Sequence, residues 1–136
     1  MKAFFDALSE LNDREGKGLF WVLGVDMAHM GARYGDRFPA IADRDEMAVV
    51  AERDAVRIDR VTKGDADGFW ERVQENRDDL KWCGSSPIYS FMRAVPEARG
   101  TLQRYEQWNI DERSVVSFAG ISFARSCDCD QSLFVS

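Results

Sequence analysis

Eight consecutive residues, Gly18-Leu-Phe-Trp-Val-Leu-Gly-Val25, carry no charge, and the run ends in Asp26 and then in His29, the only histidine of the chain. A stretch apolar on both alternate faces reads as a central β-strand covered by helices on each side, because an amphipathic edge strand would alternate. Its carboxyl end gives way to a loop punctuated by Gly31 and Gly35. In open α/β sheets ligands bind beyond the carboxyl ends of strands. The run therefore constrains both the fold and the place of a site.

The remaining patterns fit an α/β chain. Phe4, Phe5, Leu8 and Leu11 predict a helix over residues 2–12. Met47, Val50, Ala51, Ile58 and Val61 predict another over 44–63, with Asp43 as cap and Gly64 as stop. Asp65 caps a third that turns Phe69, Trp70 and Val73 inward, and the many charges of these two helices read as a solvated outer face. Leu80–Gly84 is a short extended approach to a fourth, with Ser86 as cap, Pro87 at its first position and Ile88, Phe91, Met92 and Val95 as its stripe. Residues 101–108 and 114–123 read as a hairpin. The tail at 126–136 has the period of neither helix nor strand, which favours disorder.

With 136 residues and 45% hydrophobic content, one globular domain is expected. A net charge of −6 argues against nucleic acid, whose phosphates need clustered Lys and Arg. The apolar run is far too short for a membrane span, and the amino terminus lacks a basic-then-apolar leader, so a cytoplasmic location is expected. Three cysteines do not suggest a disulfide framework. Phosphate loops, nucleophile elbows, His-Glu-x-x-His and dinucleotide fingerprints are all absent from the sequence.

Three groups of residues carry candidate chemistry. A carboxylate at Asp26 near His29 suits general-base work, although a lone histidine is more often structural. Cys83 stands just ahead of a helix start, where a thiolate is stabilised. It reads as a soft metal ligand, a reactive thiol or, more blandly, a small buried hydrophobe. Arg33 and Tyr34 offer a fork and a hydroxyl for a ligand's carboxylate or phosphate, against the duller reading of a surface ion pair. Cys127 and Cys129 lack the ligand count of a structural zinc site.

Four blocks in order resemble the carboxyl-terminal half of the Memo family, called AmmeMemoRadiSam system protein B in prokaryotes. They are Gly24-Val-Asp-Met-Ala-His-Met-Gly-Ala-Arg-Tyr-Gly-Asp36, Gly64-Asp-Ala-Asp-Gly-Phe69, Trp82-Cys-Gly-Ser-Ser-Pro-Ile-Tyr89 and Ser114-Val-Val-Ser-Phe-Ala-Gly120. The resemblance implies residues 1–125 as the carboxyl-terminal half of a Memo-like domain and 126–136 as a non-family tail. It implies an α/β fold, a partial three-layer sandwich with a central mixed sheet flanked by helices, similar to the LigB-type class III extradiol dioxygenases. By the same resemblance Cys83 is a thiolate ligand to a non-haem iron, or copper, while His29 handles protons and Asp26 orients it.

The family's two remaining metal ligands are histidines of an amino-terminal half that this sequence does not contain. The expectation is an incomplete metal pocket, filled only if another chain brings histidines, and enzyme status is left open. The short chain is an excised fragment, a product of a split gene whose other half is separately encoded, or a truncated gene, the last favoured by the tail. Its central strand would then leave an open edge or apolar face. A radical-SAM partner is expected from the system's name. The rivals are an interaction module in which Arg33 holds an acidic or phosphorylated peptide, and an inactive remnant.

Overall fold

The structure, a computed structural model, describes residues 1–125. The tail, with Cys127, Cys129 and the proposed boundary, lies outside the described residues. The chain is α/β, with four α-helices and three strands in the order α1 (Lys2–Glu15), β1 (His29–Gly31), α2 (Glu46–Thr62), α3 (Ala66–Gln74), α4 (Ser85–Ala94), β2 (Ala98–Asp111) and β3 (Ser114–Arg125). The strands lie in the order β1-β3-β2, and both pairs are antiparallel, so the described sheet is not the mixed sheet expected. Each helix falls where its apolar spacing placed it.

The hairpin β2–β3 turns tightly between Asp111 and Ser114, whose Cα atoms are register partners, and its strands run longer than the apolar pattern alone suggested. Helix α2 lies against β2, α3 packs on α2 and α4, and α4 packs on α1. Phe69, Met47, Leu80, Val61 and Val115 form the most deeply buried part of the core. Asp65 caps α3 as expected, its carboxylate accepting Gly68 N–H at 2.9 Å. The residue ahead of α2 is Asp45 rather than Asp43, and α4 opens at Ser85 behind Gly84, so Ser86 and Pro87 lie inside its first turn.

The run at 18–25 corrects the central-strand expectation. Leu19 is extended, but the backbone groups of residues 20–25 have no hydrogen-bond partner among the described residues. Phe20 and Val22 are 87% and 78% exposed, while Trp21, Leu23 and Val25 turn toward the core. Such a run needs a neighbour on each edge and a layer on each face. Here β3 is already paired with β2, and on its other edge Val116–Ser114 pair with β1 and Ser117 bonds Met27 and Ala28. The strand that enters the sheet is displaced to His29–Gly31. It ends at Gly31, whose φ of +102° and close approach to Arg113 (a Cβ there would stand 2.2 Å from the Arg113 carbonyl oxygen) admit only glycine.

Charges on α2 correct a second expectation. Asp54 and Arg57 are buried on the core face, not solvated. The Asp54 carboxylate accepts Trp82 Nε1–H at 2.7 Å, the Tyr105 hydroxyl at 2.8 Å and the Ser117 hydroxyl at 2.6 Å. Arg57 donates to Asp78 at 3.0 Å and to the Arg72 carbonyl at 3.1 Å, and its guanidinium lies 5.3 Å from the centroid of the Trp82 ring. Burial pushes the Asp54 carboxyl above its ordinary range, against the pull of its three donors and of Arg57. Burial and the Asp54 charge likewise push the Tyr105 phenol up, so that it stays a donor.

Asp54→Ala strands three donors in the core and is expected to lower stability by about 3–5 kcal/mol in urea unfolding. Asp54→Asn retains an acceptor and should lose less. Because the folded carboxyl is raised above its unfolded value of 3.8, the folded state holds its proton more tightly. The wild type should therefore gain stability relative to Asp54→Asn as pH falls through the folded pKa toward the unfolded one. A difference that shrinks over that interval would contradict the burial argument.

Candidate functional site

Two segments distant in sequence are laced together by backbone bonds. Gly84 N–H donates to the Asp26 carbonyl at 3.0 Å and His29 N–H to the Leu80 carbonyl at 2.9 Å. Cys83 closes the same seam. Its Sγ accepts Asp26 N–H at 3.3 Å and lies 3.4 Å from the Asp26 carbonyl oxygen. This lacing needs Gly84, where a Cβ would stand 2.8 Å from Val25 Cγ2 and 2.9 Å from the Asp26 carbonyl oxygen.

The other flank of the 26–29 segment is held by β3. Met27 N–H donates to the Ser117 carbonyl at 2.9 Å, Ser117 N–H to the Ala28 carbonyl at 3.0 Å, and Ala28 N–H to Ser117 Oγ at 2.8 Å. The Ser117 hydroxyl in turn donates to Asp54. Since Trp82 donates to the same carboxylate, one buried group anchors both segments that meet at the site.

Asp26, His29 and Cys83 are brought together, with one donor atom from each lying within 4.8 Å of the others. Asp26 and Cys83 are exposed, and His29 is half-buried. This settles the bland reading of Cys83, which is not a buried hydrophobe.

The imidazole is oriented differently from the sequence expectation. His29 Nδ1 lies 2.9 Å from the Met27 carbonyl oxygen and 3.0 Å from that of Lys81. Both neighbours are acceptors, so Nδ1 carries the proton in the neutral ring and Nε2 keeps a lone pair. Two backbone carbonyls thus fix the tautomer, the role expected of Asp26. The Lys81 carbonyl is presented from a turn in which Lys81 itself has a φ of +54°. The Lys81 ammonium bonds Asp36 at 2.9 Å, and the second oxygen of that carboxylate accepts Gly31 N–H at 2.8 Å, tying the loop after β1 to the same turn.

Tyr34 packs edge-on to His29, with ring centroids 5.0 Å apart, so it walls the imidazole. Arg33 is exposed and outside the cluster. Its backbone N–H donates to Ser114 Oγ at 3.0 Å. Sequence reasoning missed Ser117, the carbonyls of Met27 and Lys81, and Asp54. Backbone groups leave no residue signature, but Asp54 falls in register with the α2 stripe, seven residues after Met47 and seven before Val61.

A thiolate, an imidazole and a carboxylate together suit a borderline-soft transition metal. Ligands of a tetrahedral ion at zinc-like bond lengths stand about 3.5 Å apart. The three groups, within 4.8 Å of one another, need side-chain rotation of about an ångström to meet one ion.

Comparison with known proteins bears on the whole chain. No curated protein matches it. The family model described as Memo-like protein matches residues 2–122, spanning the cluster, all four helices, β1, β2 and most of β3. The chain belongs to the Memo-like protein family.

Proposed function

We propose that this protein binds a transition-metal ion through Cys83 Sγ, His29 Nε2 and the Asp26 carboxylate. The observation that carries the reading is the convergence of one ligand atom from each of three chemically different side chains within 4.8 Å, on an imidazole whose Nδ1 faces two backbone carbonyls. Iron or copper is the expected ion, and the donor set also suits zinc. The bound ion would supply Lewis acidity at a site where Asp26 and Cys83 are exposed to solvent. The residues' own work is to hold it: the Met27 and Lys81 carbonyls orient the imidazole, and the Asp26 backbone holds the Cys83 sulfur in place.

Histidines from a separately encoded chain would enlarge the ligand set. His29 and Asp26 would then be freed for proton transfer, because ligation and base action draw on the same Nε2 lone pair. Three donors in one chain favour ligation when that chain stands alone.

Reduced, metal-free protein should take up about one equivalent of cobalt(II) and develop a thiolate-to-cobalt charge-transfer band. Cys83→Ser should abolish the band, and His29→Ala should weaken binding by at least about tenfold. Affinity should fall as pH drops, since the ligands must be deprotonated. Absence of saturable uptake, or uptake indifferent to Cys83→Ser, would sink the proposal.

Gly84→Ala tests the lacing rather than the donors. Crowding Val25 and the Asp26 carbonyl should cost about 1–3 kcal/mol of stability and weaken cobalt binding, because Asp26 and Cys83 are pushed apart. Unchanged affinity in a folded variant would show that the seam does not position the donors.

A further inference from the structure

A second cavity lies apart from the Asp26–His29–Cys83 cluster, between the unpaired run at 19–23 and the end of β3, with a volume of about 520 Å³. That falls within the roughly 300–1,000 Å³ of ordinary small-molecule pockets. Leu19, Phe20, Leu23 and Phe91 make much of its wall, and none of its lining residues is a carboxylate. Lys17 and Arg125 are its two charged lining residues, a cationic end in a chain of net charge −6.

Asn12 also lines the cavity and is 2% exposed. Its Oδ1 accepts Trp21 Nε1–H at 3.2 Å and Arg125 Nη2–H at 3.0 Å. Two donors on that oxygen fix which way the amide faces. The amide nitrogen, Nδ2, is then the one buried side-chain polar atom without a partner among the described residues. Buried donors are rarely left unmet, and such an exception calls for an acceptor that the described residues do not supply. Arg125 is committed to Asn12 and, at 3.3 Å, to Glu97. Lys17 has no ion pair among the described residues.

We propose that this cavity binds an apolar monocarboxylate, an acyl or aryl acid. The apolar body lies along Leu19, Leu23 and Phe91, and the carboxylate meets Lys17 and, once the Asn12 side chain turns to uncover it, the buried Nδ2. An apolar cavity with one cationic end and an orphan amide donor matches that chemistry. An alcohol lacks the charge, and a cation would face Lys17 and Arg125.

The test is calorimetric titration of the full chain with decanoate below its micelle concentration, beside decanol and decyltrimethylammonium. Saturable one-to-one binding of decanoate is expected, with decanol at least about tenfold weaker and the ammonium not bound. Lys17→Glu should weaken decanoate by at least about tenfold while leaving the circular dichroism spectrum and cobalt uptake unchanged. The Asn12 side-chain amide signal should shift on adding decanoate. Absence of saturable binding, decanol binding as tightly, affinity indifferent to Lys17→Glu, or an unmoved Asn12 signal would each overturn the assignment. A groove that instead receives an extended polypeptide strand would give the first of these results.

Discussion

The hydrogen bonds converging on the Asp54 carboxylate hold the rest of the structure in place. They reach the chain at three separate points: Trp82 ahead of α4, Tyr105 on β2 and Ser117 on β3. A buried charge is costly unless its lone pairs are met. Here they are met by groups that helix, strand and loop must each deliver together. The network continues through Tyr105 to Gln107, which donates to the Met47 carbonyl at 2.8 Å and so returns to α2. Polar connectivity of this kind fixes register where apolar packing alone would tolerate slippage.

The site inherits its geometry from that anchor. Ser117 holds Ala28 from one side, and Asp54 holds Trp82, the residue next to Cys83, from the other, so the distance between the donors is set in the core. The final adjustment is made by backbone. Carbonyls of Met27 and Lys81 choose the imidazole tautomer, and amides of Asp26 and Gly84 draw the cysteine segment against the histidine segment. Groups that cannot titrate or rotate away are well suited to hold donors that must do both.

The same fold leaves its most apolar run underused. Residues 20–25 alternate between core and solvent as a strand should, yet they lack ladder partners among the described residues and expose Phe20 and Val22. Exposed, unpaired and uncharged edges invite pairing with other chains. Where the run stands off β3, it leaves the cavity whose charged end is built from Lys17 and Arg125. One departure from a closed sheet thus produces both the exposed edge and the second cavity.

Periodicity and capping chemistry determined the four helices and the hairpin, because a helix stripe and a tight turn are local properties, as Asp65 over α3 illustrates. The blocks around Asp26 and Cys83 pointed to these residues as neighbours, and the structure brings them together with His29. Sequence could not decide whether the run at 18–25 is buried, since burial depends on what lies opposite. Nor could it separate Asp54 and Arg57 from the solvated charges of α2, although both sit on the inner stripe, because a charge is tolerated inside only when distant partners reach it. Asn12 shows the converse: an ordinary helix residue by pattern, it becomes a buried amide with an unmet donor only when Trp21 and Arg125 close over it. Tertiary structure alone decided the tautomer of His29, for one of the carbonyls that fix it comes from Lys81, 52 residues further along the chain.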